Sequence, residues 1–238
     1  NKGVTLLNKD TLNVLKALQQ ISTTVVMTYP IVGFKNKSDS MFAYFDVSHF
    51  AEEEFNDFGI YNTTELLSVI GSVGSRDSTE ITIDQGVLTI VGDAGTLRYN
   101  TANIGLIEDQ KASVKFLEKV KEGTAFLTFD IESTQIESLK KVSSVLKDLS
   151  DLNIETNGNT VELKASNKEN SSNAFTVTAR CEKIEDVKLS IDMSHNFKSL
   201  PNGNYKVKIT KNARGVWLTI FESKDVEGMY IIVATQNQ

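Results

Sequence analysis

Lysine and amide side chains recur along one stretch near the start of the chain, NKDTLNVLKALQQIS from Asn8 to Ser22. They are spaced four, three and four residues apart, which is the spacing of one face of an α-helix. The row consists of Lys9, Asn13, Lys16 and Gln20. Long lysine side chains attract phosphate groups without fixing a geometry, so this row could form a loose contact with a nucleic acid backbone. A solvated outer face is the other interpretation, because any soluble helix has one.

Other side chains that could do chemistry do not form a known catalytic or metal-binding pattern. The two histidines, His49 and His195, and the one cysteine, Cys181, have neither CxxC nor HxxxH spacing. The acidic run from Glu52 to Glu54, together with Asp57, is more typical of a solvated face than of a metal or general-acid site. The sequence contains no P-loop, GxGxxG or GxSxG motif. We therefore predict no catalytic residue, no metal and no cofactor.

Composition argues against a protein that binds anions over its whole surface. The 238 residues include 31 acidic and 25 basic side chains, a formal net charge of −6, so any contact with nucleic acid must be local. The length suggests one large domain or two of about 110 to 120 residues. A single cysteine excludes an internal disulfide and fits a reducing cytoplasm, and no apolar run is long enough to span a bilayer.

Two helices are predicted in the first half of the chain. Leu12, Leu15 and Leu18 recur at helical spacing in the opening stretch, and either Asn8 or Asp10 could cap its start. The second helix fits NTTELLSVIGSV, which begins at Asn62 and is capped by Asn62 or Thr63. Between and after these helices, alternating and β-branched runs predict strands, and DQG and GDAG predict hairpin turns.

The second half repeats this order of elements. ESTQIESLKKVSSVLKDL predicts a third helix, and MSHNFKSL predicts a short fourth helix that ends at Pro201. The third helix has an apolar stripe of Ile136, Leu139, Val142, Leu146 and Leu149. Sliding the first helix onto the third superposes Leu12 on Ile136 and Lys16 on Lys140. We predict an α+β fold of two similar β-rich domains with two helices each: 1–110, a connector at 111–124, and 125–238.

Three stretches resemble the DNA polymerase sliding clamp of T-even-like tailed bacteriophages, which is related in fold to the proliferating cell nuclear antigen of eukaryotes. They are LNKDTLNVLKALQQIS, IYNTTELLSVIGSV and MSHNFKSLPNGNYKVKI. The resemblance spans most of the chain, although none of these stretches is a strict signature. It implies a homotrimer closed head to tail into a ring, with helices around the hole and sheets outside.

The resemblance also implies the function and the partners. Such a ring encircles duplex DNA without regard to sequence and tethers the replicative polymerase, and it has no active site. A clamp loader and the polymerase would attach through short hydrophobic tails. Some phage clamps also support late transcription, which adds transcription factors to the expected partners. The expected location is the cytoplasm of an infected bacterial host.

The resemblance assigns roles to two sets of residues. The set expected to face DNA in the channel is Lys9, Lys16, Arg76, Lys140, Lys141, Lys147 and Lys198. The set expected to dock partner tails is Phe34, Ile104, Leu106, Tyr230 and Ile232. Acidic side chains on the same helices make the charge contrast between hole and rim modest. An ordinary solvated lysine or core apolar residue is the alternative interpretation at each position.

Two other functions stay open on the sequence alone. A ring-forming viral structural protein built from duplicated β-domains, without DNA tethering, would explain the repeat but not the lysine rows. A carboxylate-pair enzyme that used the run from Glu52 to Glu54 is the third alternative.

Overall fold

The computed structural model describes residues 4–5, 8–49, 53–75, 77–169 and 173–238. The chain divides into two compact units. Unit 1 comprises Asn1–Asp39 and Ala43–Val114, and unit 2 comprises Ser40–Phe42 and Lys115–Gln238. The predicted connector at 111–124 is therefore shared between them, and the domain limits given above stay a prediction.

Unit 1 combines short helices with antiparallel strands. Its helices are α1 (Lys9–Leu18), α2 (Thr63–Val73) and α3 (Ile104–Ile107). Its strands are β1 (Val4–Thr5), β2 (Val25–Met27), β3 (Ile31–Lys35), β4 (Met41–Asp46), β5 (Phe58–Ile60), β6 (Glu80–Asp84), β7 (Val87–Gly92) and β8 (Gly95–Asn100). The first two residues of β4 group with unit 2. One sheet has the order β1-β6-β7-β8, and β2 pairs with β5.

The two predicted helix starts and both hairpins of this unit are confirmed. The side-chain oxygen of Asn8 accepts from the Thr11 N–H at 3.1 Å, and that of Asn62 accepts from the Glu65 N–H at 3.0 Å, so the asparagines are the caps. The turn between β6 and β7 places Gln85 and Gly86 at positive φ, as a tight hairpin requires.

Unit 2 is built mainly from one antiparallel sheet. Its helices are α4 (Val114–Glu122) and α5 (Ser133–Val145), with Val114 counted in unit 1. Its strands are β9 (Leu127–Ile131), β10 (Asp151–Asn157), β11 (Thr160–Ser166), β12 (Ala174–Lys183), β13 (Lys188–Asp192), β14 (Tyr205–Lys211), β15 (Trp217–Ser223), β16 (Met229–Ala234) and β17 (Gln236–Asn237). They lie in the order β17-β13-β10-β11-β12-β9-β14-β15-β16.

Each unit buries one face of its long helices. Leu12, Leu15 and Leu18 of α1 are at most 2% exposed, and Ile136 and Leu139 of α5 are fully buried. Burying a leucine or isoleucine side chain contributes about 1.5 to 3 kcal/mol, so these rows fix which helix face turns outward. The opposite faces carry the lysines and hydroxyls considered below.

The predicted fourth helix is wrong. The stretch forms turns and a single 3₁₀ turn, Phe197–Ser199, instead of an α-helix. The Asp192 carboxylate accepts from the His195 N–H at 2.6 Å, which closes a local turn, while Phe197 and Leu200 are buried. Asp, Ser and Asn side chains compete with helical backbone bonds in this way.

The helical content also differs from the prediction at three other places, the end of α5 and the two helices α3 and α4. α5 ends at Val145, because Leu146 leaves helical geometry at φ −93° and ψ 84°, so Leu149 is buried beyond the helix. α3 and α4 were not predicted. In α4, Leu117 and Val120 are buried three residues apart, a helical signal that the surrounding charged residues obscure.

Candidate nucleic-acid interface

The outer face of α1 carries the row of lysine and amide residues that opened the sequence. Asn13, Lys16 and Gln20 are exposed, and Lys16 forms no ion pair within the described ranges. Lys9 is different, because its ammonium lies 2.8 Å from the Asp77 carboxylate. That hydrogen bond and the charge of Asp77 raise the pKa of Lys9. The pair is exposed, 56% and 70% for the two side chains, so it is weak and a phosphate could compete with Asp77.

The outer face of α2 presents hydroxyl groups instead of lysines. Ser68 donates to the Thr64 carbonyl at 2.9 Å, and Ser72 donates to the Ser68 carbonyl at 3.2 Å. The Thr64 hydroxyl donates to the side-chain oxygen of Gln19 at 3.0 Å, which links this face to the residue that follows α1. Arg76, predicted to extend this face, lies outside the described residues.

Lys140 on α5 is engaged inside unit 2. Its ammonium donates to the Leu200 carbonyl and, at 2.8 Å, to the side-chain oxygen of Asn202. The side chain is half-buried, and this desolvation lowers the pKa of Lys140 to about 8. The contacts favour a structural role, in which Lys140 holds the 200–202 loop against α5.

The three other lysines of unit 2 that were predicted to face DNA are better placed than Lys140 to contact a ligand outside the chain. Lys141 is exposed on α5, and Lys147 is exposed in the turn after this helix. Lys198 is half-buried on the 3₁₀ turn. None of the three forms an ion pair among the residues that the structure describes.

The residues predicted to dock partner tails have unequal exposure. Phe34 and Ile232 are fully buried, so neither presents a surface to a partner. Leu106 on α3 is 84% exposed, and Ile104 is partly exposed. The ring of Tyr230 is covered by the ammonium of Lys121, 4.4 Å from its centroid.

Sequence reasoning missed an aromatic cluster on unit 2, the Trp217 cluster, which comprises Phe126, Ile184, Lys211, Val216 and Trp217. The rings of Phe126 and Trp217 meet edge to face at 5.3 Å, and the ammonium of Lys211 lies 4.2 Å from the Trp217 centroid. Ile184, whose N–H donates to the Phe126 carbonyl at 2.9 Å, is 67% exposed, and Val216, which precedes Trp217 in the chain, is 46% exposed. These residues come from three segments of the chain, around positions 126, 184 and 211–217, so no single local pattern joins them. The sole tryptophan, a residue typical of interfaces, was the one signal in the sequence.

Two of the strand edges without a partner among the described residues belong to longer strands, β8 in unit 1 and β12 in unit 2. β8 ends its sheet and, within the described ranges, pairs only with β7. β12 changes neighbour along its length: residues 174–180 pair with β11, and residues 181–183 pair with β9. One side of residues 174–180 is therefore without a strand partner among the described residues. Unpaired edges are ready to pair with another chain.

The groups considered for catalysis do not come together in the described ranges. No group of three or more His, Cys, Asp or Glu side chains there is placed to hold a metal ion. Glu52 lies outside the described residues. Burial raises the pKa of the Cys181 thiol, which favours the less reactive protonated form. Within the same ranges, no helix has the length and apolar character needed to cross a membrane.

Comparison with solved structures identifies the fold. The chain is similar to the proliferating cellular nuclear antigen from Entamoeba histolytica, with a TM-score of 0.65, 16% sequence identity, and coverage of 95% of this chain and 94% of that one. No protein-family profile and no curated protein sequence matches the chain. The α+β arrangement is thus the fold of the DNA sliding clamps, shared over nearly the whole chain.

Proposed function

We propose that the protein is a sliding clamp, a homotrimeric ring that encircles duplex DNA and tethers a replicative polymerase. The observation that carries the proposal is the fold likeness to a proliferating cellular nuclear antigen over 95% of the chain. The chain acts as a binding ring and not as an enzyme. We further propose the phage origin, the infected bacterial cytoplasm and the support of late transcription from the sequence resemblance.

The open strand edges in the two units support the proposed ring. A head-to-tail assembly needs two different surfaces on each subunit, and among the described residues β8 of unit 1 and residues 174–180 of unit 2 each leave one edge without a strand partner. Pairing one edge with the other on the next copy satisfies both. Repeating this contact closes a ring if the rotation between subunits is a third of a turn.

Four lysines are the strongest candidates for DNA contacts, because they form no ion pair with any residue in the described part of the chain. They are Lys16, Lys141, Lys147 and Lys198. Scattered cations on flexible side chains give a weak, salt-dependent attraction for phosphates, which permits movement along the duplex. We keep Lys9 and Arg76 in the set, and we place Lys140 in a secondary, structural role.

Partner tails of the polymerase and the clamp loader are proposed to dock on the Trp217 cluster, with Leu106 as a second candidate. The cluster offers exposed apolar side chains beside a large aromatic pair, the composition enriched at binding hot spots. Phe34 and Ile232 contribute to the core, and Tyr230 keeps only its partly exposed ring for such a role.

Native mass tests the ring first. The chain mass is 26.3 kDa, so light scattering should give about 79 kDa for a trimer over a dilution series. A monomer at every concentration would contradict the proposal. If the trimer forms, it should raise the length of DNA synthesised per binding event on a primed circular template.

Charge reversal then tests the role of the lysines. Replacing Lys16, Lys141, Lys147 and Lys198 by glutamate should abolish processive synthesis and leave the trimer intact. A matched control reverses four exposed lysines on other elements: Lys37, Lys115, Lys119 and Lys188. Unchanged processivity in the first variant, with a normal ring, would favour the alternative of a structural ring without DNA tethering.

A further inference from the structure

An open cleft on unit 1 combines an apolar floor with acidic walls. We propose that it docks a basic segment of a partner protein, in which lysine or arginine residues flank an apolar side chain. This acidic cleft is lined by residues 54–58, which lead into β5, by residues 83–86 at the turn between β6 and β7, and by residues 101–104, which follow β8. Its volume of about 740 Å³ lies within the range of ligand pockets, about 300 to 1,000 Å³.

Hydrogen bonds to the backbone hold the three segments of the acidic cleft together. The N–H and the hydroxyl of Thr101 both donate to the Gly86 carbonyl, at 3.0 and 2.7 Å, which joins the third segment to the turn. The Ala102 N–H donates to the Gly59 carbonyl at 2.8 Å, which joins the same segment to β5. Walls that are already joined lose little conformational entropy when a partner binds, so the cleft is preformed for docking.

The floor of the acidic cleft is apolar. Phe55 and Phe58 line it and are only 8% and 3% exposed, with their ring centroids 5.5 Å apart. Phe55 also meets Tyr29 edge to face at 5.7 Å, a contact that fixes the loop before β5. Ile83 lines the cleft from the β6 side and is partly exposed. Covering this floor with an apolar side chain releases its contact with water, which favours binding.

The charged side chains around this floor are all acidic. The carboxylates of Glu54, Asp57 and Asp84 line the cleft and are exposed, and its described lining includes no lysine, arginine or histidine. None of the three forms an ion pair with another residue that the structure describes. Like charges around one cleft repel one another, and a cationic side chain placed between them relieves this repulsion.

Charge and geometry select a basic peptide as the occupant. The phosphate groups of a nucleic acid or an anionic membrane would be repelled by the acidic walls. A bound metal ion needs several ligands that converge on one point, and in the described ranges no three His, Cys, Asp or Glu side chains do so. A second copy would bring the same formal net charge of −6, so charge favours a partner of the opposite sign. A basic segment can pair with carboxylates at separate points and place an apolar side chain on the floor between them.

This docking surface goes beyond the proposed function. All of the described residues that line the acidic cleft belong to unit 1, so one copy of the chain contains the site whether or not a ring forms. The chemistry also differs from that of the Trp217 cluster on unit 2, where the ammonium of Lys211 lies against an aromatic ring. A partner that uses the acidic cleft is therefore recognised by positive charge, which the Trp217 cluster does not select.

Two fluorescent peptides test the site by anisotropy with the native full chain. One has the sequence Lys-Arg-Leu-Lys-Arg, and the other has serine in place of the leucine. At low salt the leucine peptide should bind at least about threefold more tightly than the serine peptide, because only the leucine covers the floor. Binding of both should weaken as the salt concentration rises. No binding of the leucine peptide would overturn the proposal, and equal binding of the two peptides would overturn the role of the floor.

Removal of paired charges locates the binding. Asp57→Asn with Asp84→Asn should weaken binding of the leucine peptide by about fivefold, because two exposed ion pairs are lost. The matched control, Glu80→Gln with Asp93→Asn, removes the same net charge from exposed positions of unit 1 that do not line the cleft. The control should bind the peptide as the native chain does. Equal weakening in the two variants would assign the attraction to the overall charge of the chain and overturn the site.

Ile83→Thr separates the floor from the walls. Threonine keeps the β-branch that suits a strand and replaces the ethyl group of the isoleucine by a hydroxyl. The variant should bind the leucine peptide more weakly and the serine peptide as before, whereas Val91→Thr, on an exposed strand position outside the cleft, should change neither. Equal loss of both peptides in Ile83→Thr would contradict an apolar contact at this residue.

The native mass of each variant distinguishes failure of this site from failure of the ring. A native chain that stays monomeric but binds the peptides in the expected pattern would remove the ring and support the acidic cleft. A trimer that ignores the leucine peptide would leave the ring and overturn the cleft. A trimer that dissociates when Asp57 and Asp84 are replaced would show that the cleft joins two copies of the chain, and it would overturn the basic partner.

Discussion

Replacing Lys140 by methionine separates a structural lysine from one that faces DNA. Methionine keeps the length and much of the volume of the side chain but removes the ammonium that bonds Leu200 and Asn202. Burial lowers the pKa of Lys140 from 10.5 to about 8 in the folded chain. The unfolded chain therefore binds more protons between these values, and the free energy of unfolding rises with pH across that window.

The size of the effect follows from this shift. At about 1.36 kcal/mol per pH unit, the span from 8 to 10.5 sets an upper limit of about 3.4 kcal/mol. Lys140 is only half-buried, so solvent screening reduces the gain to about 1 kcal/mol between pH 7.5 and 9.5. Lys140→Met cannot gain it. The free energy of unfolding of the native chain minus that of the variant should therefore increase by that amount between the two pH values.

Urea unfolding at the two pH values measures the difference, at a protein concentration where both proteins have the same assembly state. Groups common to both proteins cancel, so their titration does not affect the comparison. Lys141→Met, on the exposed side of the same helix, is the matched control for the loss of a lysine from this helix. If Lys140→Met gives a constant difference, the ammonium is free in solution, and Lys140 returns to the DNA-facing set.

Three further predictions concern the two helix caps, the ion pair between Lys9 and Asp77, and the exposed side chain of Leu106. Asn8→Ala and Asn62→Ala should each lower the free energy of unfolding by about 1 kcal/mol, measured by urea denaturation, because each leaves a first-turn N–H without its acceptor. Asp77→Asn should tighten DNA binding at low salt, by up to about fivefold in a titration, because it releases Lys9 from its ion pair; equal affinity would show that this lysine does not meet DNA. Leu106→Ser should leave stability within about 0.5 kcal/mol and weaken polymerase binding, and normal binding in a pull-down would remove this residue from the docking set.

The sequence was sufficient to predict those structural features that depend on residues close together in the chain. The start of α1 follows from Asn8 and its buried leucines, and the β6–β7 hairpin follows from Gln85 and Gly86. The clamp fold was predicted from three stretches and the repeated order of elements. These features depend on periodicity, caps and turns, which single windows of sequence contain.

Contacts between distant residues account for the rest. Lys140 had the spacing of an outward lysine, but its acceptors lie 60 residues away in the 200–202 loop. Phe34 was placed in the docking set by the family resemblance, yet its ring is fully buried, and its strand forms a bridge to Lys111. The predicted fourth helix failed because the Asp192 side chain and two buried apolar residues stabilise a tighter turn than its spacing suggests.

The hydroxyl groups on the outer face of α2 affect how strongly this face would bind the phosphates of a DNA duplex. Thr64, Ser68 and Ser72 direct their hydroxyl protons into the protein, so the face offers mainly oxygen lone pairs to its surroundings. Phosphate oxygens are acceptors too, so these three hydroxyl groups would bind them only weakly. Beside a duplex in the proposed ring, such a face would contact phosphates mainly through water, and its interaction energy would change little from one base pair to the next. In the proposed ring, α2 would contribute little to DNA binding and would oppose sliding little, while the lysines would provide the attraction.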